Sequence, residues 1–105
     1  DGIMKTRTKI DFECVNRAAL AQLPELCARW LPDGRRCGHE YRARNPLRAD
    51  RRAGSFSVNL TSGRWADFAV GVRGGDPVSL AAYVSGLGQA DAARRLADML
   101  GMHHE

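Results

Sequence analysis

Arginine side chains concentrated in one segment are the groups in this sequence best suited to chemistry. Residues 35–73 carry nine arginines against Glu40, Asp50 and Asp67, whereas residues 1–34 are neutral and residues 74–105 carry two arginines against four acids. Basic charge confined to one segment favours a polyanion partner. The alternative interpretation is a solvated basic face. The excess of arginine over lysine is consistent with a need for planar phosphate donors and also with a GC-rich genome.

The arginines expected to bind lie on and around a predicted β-hairpin. Arg42 and Arg44 are two residues apart in a strand-like segment and share one face. Arg64 adjoins Trp65, and basic groups beside an exposed aromatic ring suit single strands, whose bases stack while phosphates are held. A core position for Trp65 is the other interpretation. The predicted nucleic-acid-binding residues are Arg42, Arg44, Arg48, Arg51, Arg52, Arg64, Trp65 and Arg73.

The segment "GVRGGD" at residues 71–76 has two open interpretations. Glycines before a helix can cradle an anion, with Arg73 adding charge. No Lys-Ser/Thr pair follows, so it is not a phosphate loop of the Walker type, and a plain turn with an N-cap is the alternative.

Cysteine, histidine and carboxylate residues do not form a recognisable catalytic or metal-ligand pattern. Cys14, Cys27 and Cys37 are an odd, unevenly spaced set, which predicts reduced thiols. Cys37 and His39 with the terminal His103 and His104 have weak spacing for zinc, and a strand-edge cysteine with a disordered tail is the preferred interpretation. We expect no cofactor and no enzymatic activity of the chain by itself.

The chain of 105 residues is long enough for one compact domain. Without a signal or membrane segment in its sequence, we expect a soluble, cytoplasmic protein. We place a flexible lead-in at residues 1–10, the domain at 11–101 and a tail at 102–105. The first residues, ahead of Met4, are interpreted as a cloning remnant.

Hydrophobic periodicity predicts an α+β domain. A helical stripe follows Asn16 as N-cap, and Pro24 requires either a turn before a helix from about Leu23 or a kink. Strand patterns occur in "HEYRAR", "SFSVNL" and "RWADFAV", the last with Trp65 on the face opposite to Ala66 and Phe68. Helices are predicted from Asp76-Pro77 and from about Gln89. The predicted core is Leu26, Trp30, Phe56, Phe68, Leu80, Tyr83 and Leu96.

Residues 45–100, and most specifically "GSFSVNLTSGRWADF" and "GGDPVSL", resemble the CHC2-type zinc-binding domain of bacterial and phage DNA primases and primase-helicases. The resemblance implies a small antiparallel zinc-ribbon-like sheet, packed here by an N-terminal helix and two C-terminal helices. The family's four metal positions fall on Asn45, Arg48, Asp67 and Val70. An amide, a permanent cation, a carboxylate and an aliphatic side chain do not make a zinc site, so the sheet is expected to be metal-free.

The function implied by this resemblance is that of a DNA-binding domain in a primase or primase-helicase of a phage or mobile element. It would engage single-stranded template DNA for a catalytic domain outside this chain. The alternative is a protein-interaction module that docks on a replication or helicase partner, for which an exposed apolar patch on the last two helices would be the sign.

Overall fold

The structure, a computed structural model, describes residues 10–47 and 55–102. Within them the chain forms two helices, a five-stranded sheet and two further helices. The bounds are α1 Phe12–Ala21, α2 Leu23–Trp30, β1 Arg35–Cys37, β2 Glu40–Ala43, β3 Phe56–Asn59, β4 Trp65–Asp67, β5 Val72–Gly74, α3 Pro77–Ser85 and α4 Gln89–Met99. This is the predicted α+β class, with two N-terminal helices instead of one.

The first helix begins earlier than the sequence predicted, whereas the second begins at the predicted residue. Asp11 caps α1, its side chain accepting a hydrogen bond from the Cys14 amide, so Asn16 lies inside the helix and its prediction as the N-cap is wrong. Helix α2 begins at Leu23 with Pro24 in its first turn, where a missing N–H is tolerated. Of the two predicted alternatives, a new helix from about Leu23 is therefore the one observed, and not a kink.

The sheet is an antiparallel meander with strand order β1-β2-β3-β4-β5. The three predicted strands form its centre, at β2, β3 and β4. The outer strands were not predicted: β1 lies in an arginine-rich stretch without alternation, and β5 occupies part of "GVRGGD", for which the two interpretations were an anion-binding segment and a turn. β4 is equally short but lies in a segment that alternates apolar and polar residues, a signal that both outer strands lack.

The helix α3 has every early backbone donor satisfied. Asp76 and Ser79 form a reciprocal capping box, with the Ser79 amide donating to Asp76 Oδ1 at 2.8 Å. Pro77 has no N–H, and the Val78 amide donates to Oδ1 of Asn16 at 2.8 Å. The residue predicted to cap α1 thus caps α3, which ties the two helices together.

The core lies between one face of the sheet and the helices. Phe56, Trp65 and Tyr83 form an aromatic cluster: the Phe56 and Trp65 ring centroids are 5.6 Å apart and the Trp65 and Tyr83 centroids 5.0 Å. The hydroxyl of Tyr41 donates to the carbonyl of Leu31 at 2.9 Å, which joins β2 to the end of α2. Of the predicted core, Leu26, Phe56, Leu80 and Leu96 are buried, and Trp30 and Tyr83 are partly buried against the same cluster.

Within residues 10–47 and 55–102, no helix combines the length and apolar character needed to cross a bilayer.

The three cysteines differ in accessibility, which predicts their reactivity. Cys14 and Cys37 are exposed and Cys27 is buried. We expect two thiols to react at once with a thiol reagent such as dithionitrobenzoate under native conditions, and the third only after denaturation. A Cys14→Ser/Cys37→Ser variant should lose the whole fast phase. Three fast thiols in the native protein would contradict the packing of α2.

The buried thiol also predicts a dependence of stability on pH. Burial raises the pKa of Cys27 from 9.0 to about 12, because the thiolate would lose its hydration. The stabilisation is fully present below the unfolded pKa of 9.0 and is lost as the pH rises through the folded value of about 12. Urea denaturation over this range should show a falling free energy of unfolding.

The matched variant for this test is Cys27→Ala, which should lower stability at neutral pH but flatten the alkaline decline. Part of the decline should persist, since burial, with smaller contributions from Cys27 and Asp33, also raises the pKa of Tyr41. An unaltered alkaline decline in Cys27→Ala would show that this thiol does not cause it.

Candidate nucleic-acid interface

The two faces of the sheet differ in character because successive side chains alternate. Tyr41, Ala43, Phe56, Val58, Trp65 and Asp67 point to the helices and are buried. The residues between them point to the other side, which we call the open face. It carries Glu40, Arg42, Ser57, Asn59, Ala66, Phe68 and Arg73.

Strand register aligns the open face into a row across all five strands. Arg35 pairs with Arg42, Arg42 with Ser57, Ser57 with Ala66, and Ala66 with Arg73. Directly opposed residues in antiparallel strands share a face, so these five side chains form one line at right angles to the strands. Arginines occupy both ends of this row, and small side chains occupy its middle.

The small side chains leave an open depression of about 630 Å³ on this face. Ser57, which is only 7 % exposed, and Ala66 form its floor. The remaining lining residues are Glu40, Asn59, Arg64, Trp65, Phe68, Arg73, Gly74 and Gly75. Asn59 Oδ1 accepts from the amides of Thr61 and Ser62, so the oxygen of this side chain is engaged in the hairpin turn. The amide nitrogen of Asn59 is a donor.

The arginines of the sheet differ in how far their charge is already neutralised. Arg42 donates to Glu40 at 3.0 Å, and Arg44 lies 3.6 Å from Asp33. Arg35, Arg64 and Arg73 are exposed and have no ion pair within the described residues. A phosphate would not have to displace a carboxylate from these three guanidinium groups. The strongest candidates for phosphate contact are therefore Arg64 and Arg73, which also line the depression.

The predicted stacking role of Trp65 is wrong for this conformation. Its side chain is 5 % exposed, lies in the aromatic cluster and donates from Nε1 to Ser79 Oγ at 2.9 Å. The other interpretation of Trp65, as a core residue, is the one observed. A buried indole needs an acceptor for its N–H, and the hydroxyl of Ser79, in the first turn of α3, is that acceptor.

Phe68 takes the exposed place that was expected for Trp65. It is 70 % exposed at the depression, although we had predicted it in the core. The alternation correctly placed Trp65 and Phe68 on opposite faces of the strand. It did not indicate which of the two faces is buried. Asp67 shares the buried face with Trp65, and the hydrogen bonds that satisfy its carboxylate there come from Asn45 and Ala69.

The end of segment 71–76 next to α3 serves to cap the helix, as the turn-and-N-cap interpretation predicted. The first-turn amides of α3 already donate to Asn16, Asp76 and the Asp76 carbonyl, so no anion cradle is free there. A Cβ on Gly74 would lie 2.4 Å from Trp65 Nε1, which explains the glycine. Only Arg73, on the open face, keeps a potential phosphate contact from this segment.

Two of the four positions that the family resemblance assigned to metal lie together in the fold. Asn45 Nδ2 donates to Asp67 Oδ2 at 2.7 Å and to the Tyr83 hydroxyl at 2.8 Å, and Asp67 Oδ1 accepts from the Ala69 amide. Asn45 is 1 % exposed and Asp67 0 %. Val70 has an exposed side chain, although its amide donates to the main-chain carbonyl of Asp67 at 3.3 Å. In residues 10–47 and 55–102, His, Cys, Asp and Glu form no cluster of three or more suited to a metal ion.

Three of the predicted binding residues, Arg48, Arg51 and Arg52, lie outside the described residues. Arg48 is also the fourth of the assigned metal positions. Their contribution stays a prediction from the sequence.

Comparison with known proteins does not assign this chain to a family. A scan against protein-family models found no match, and a search of the curated proteins found none either. The function must be argued from the geometry of the site, since a small α+β fold by itself implies no activity.

The buried polar group of Asn45, Asp67 and Tyr83 predicts unequal costs for two substitutions. Asn45→Ala should lower the free energy of unfolding by about 1–3 kcal/mol, because it removes a donor from the buried Asp67 and also the bond to Tyr83. Tyr83→Phe removes only one hydroxyl and should cost about 1 kcal/mol. Urea denaturation of both variants and of the double variant measures the coupling. Equal losses in the two single variants would contradict Asn45 as the central donor.

Proposed function

We propose that this domain binds single-stranded DNA on the open face of its sheet. The observation that carries the proposal is the depression edged by exposed Phe68 with Arg64 and Arg73, which have no ion pair among the described residues. An aromatic ring offers a stacking surface to a base, and guanidinium groups hold the phosphates on either side. The segment's net charge of +6, from nine arginines and three acids, supports the same partner.

A single strand suits this face better than a duplex for a geometric reason. In a duplex the bases are stacked on each other and paired, so an aromatic side chain on an open sheet cannot reach their faces without unstacking them. In a single strand one base can turn into the depression and lie on Phe68. Recognition of this kind tolerates sequence, because every base has a π-face.

The wider role that we propose follows from the resemblance to CHC2-type primase domains. The domain would hold the template for a catalytic primase or helicase domain, in the same or another chain, of a phage or mobile element. The contact between Asn45 and Asp67 supports this proposal, because two positions 22 residues apart that the resemblance assigns to one site are adjacent. A hydrogen-bonded amide and carboxylate would then stabilise the loop and hairpin where relatives use metal.

The alternative, a protein-interaction module, was expected to expose an apolar patch on the last two helices. The exposed large apolar side chains of the described residues are Phe12, Leu47, Phe68 and Val70, and none of these lies on α3 or α4. Phe68 lies instead among arginines, which favours nucleic acid over an apolar protein partner.

Fluorescence anisotropy with a labelled single-stranded oligonucleotide tests this proposal. Arg64→Ala and Arg73→Ala should each weaken binding about fivefold and lower the slope of log affinity against log salt by about 0.7, the value for one phosphate contact to a single strand. Phe68→Ala should weaken binding about tenfold through lost stacking, with little change in stability.

Matched controls exist on the helical layer. Arg95 of α4 is an exposed arginine and Phe12 of α1 an exposed phenylalanine, so Arg95→Ala and Phe12→Ala should leave affinity unchanged. The Arg48→Ala/Arg51→Ala/Arg52→Ala variant tests the predicted loop separately. Absence of binding by the wild-type chain at low salt, or equal losses in the open-face and control variants, would refute the proposal.

A further inference from the structure

The row of open-face residues from Arg35 to Arg73 runs across the sheet, so it offers a path for a bound strand as well as a surface. Its ends are Arg35 on β1 and Arg73 on β5, and its centre is the Ser57 and Ala66 floor of the depression. Phe68 and Asn59 lie to either side of that centre, since each is two residues along its strand from the row. Small residues between larger flanking side chains form a trough across the strands.

We propose that a bound single strand follows this row at right angles to the β-strands, with one base turned onto Phe68 and phosphates at Arg73 and Arg35. This inference rests on the proposed function and adds to it a path and a length. Arg42, directly opposite Arg35, is already paired with Glu40, so Arg35 is the phosphate contact proposed at that end. Arg64 lies with Arg73 at the depression, so the tighter end is the β5 end.

The opposite course, along the strands, has weaker support from the described residues. Beyond Asn59 the chain turns through Thr61 and Ser62, which carry no charge, and Arg64 is the one cation in that turn. Arg35, on the outer strand β1, would have no contact with a nucleic acid lying parallel to β3 and β4. Arg35 therefore distinguishes the two courses.

The spacing between strands gives the length of nucleic acid that the row can contact. Four interstrand steps of about 4.8 Å separate Arg35 from Arg73, about 19 Å in all. A stacked strand rises about 3.4 Å per nucleotide, so this distance holds about six stacked nucleotides and fewer where the backbone is extended. A segment of about three nucleotides would reach only from Arg73 to the floor of the depression.

The test is anisotropy with oligothymidylates of two to twelve nucleotides and the full chain. Affinity should rise steeply up to about six nucleotides and then only in proportion to the number of overlapping sites. Arg73→Ala should weaken binding of a trimer and of an octamer alike, whereas Arg35→Ala should weaken the octamer about fivefold and leave the trimer unaffected.

The matched control for Arg35 is Arg36, its exposed neighbour on the same strand, which pairs with Tyr41 and so belongs to the other face. If Arg35→Ala behaves like Arg36→Ala at every length while Phe68→Ala still weakens binding, the path is wrong and the site stands. If the wild-type chain binds no oligonucleotide at low salt, the proposed function fails together with the path. Equal circular dichroism and unfolding curves for the variants would confirm that the losses arise at the surface.

Discussion

The burial of one carboxylate, that of Asp67, determines how the sheet is presented to solvent. An ionised carboxylate removed from water costs several kcal/mol unless donors surround it. Asp67 receives hydrogen bonds from Asn45, in the segment after β2, and from the Ala69 amide in the turn after β4. These hydrogen bonds offset that cost and hold Asp67 on the inward face of β4. Because strand side chains alternate, Trp65 then points inward and Ala66 and Phe68 point outward.

The inward side of β4 in turn organises the helical layer. Trp65 donates to Ser79, so β4 contacts the first turn of α3, and Asn45, in the segment after β2, donates to the Tyr83 hydroxyl in its last turn. Asn16 of α1 caps the same helix. These contacts anchor the sheet on its helix side, which leaves the open face free to carry arginines that serve no packing role. A site on a supported sheet is held more precisely than one on a loop.

Local sequence signals correctly predicted the elements that begin with residues typical of a helix start. Asp76-Pro77 begins α3 as expected, because an acceptor followed by proline suits a helix start, and α4 begins at the predicted Gln89. The central hairpin followed from alternation. Asn16 was misassigned, since its side chain can cap whichever helix end lies near, and the end that it caps belongs to a helix 62 residues away. The short strands β1 and β5 exist only through pairing with their neighbours.

The sequence by itself determined that this chain forms an α+β domain and that its arginines concentrate in the segment that becomes the sheet. It also determined that Trp65 and Phe68 lie on opposite faces, because that depends only on the two-residue period of a strand. Only the tertiary structure decided which of the two is buried and which arginines lack carboxylate partners. The faces depend on Ser79 and Asn45, which are distant in the chain from Trp65 and Asp67 and approach them only when the layers pack. The charges depend on which carboxylate lies beside each arginine in the fold: Glu40, two residues from Arg42, and Asp33, opposite Arg44.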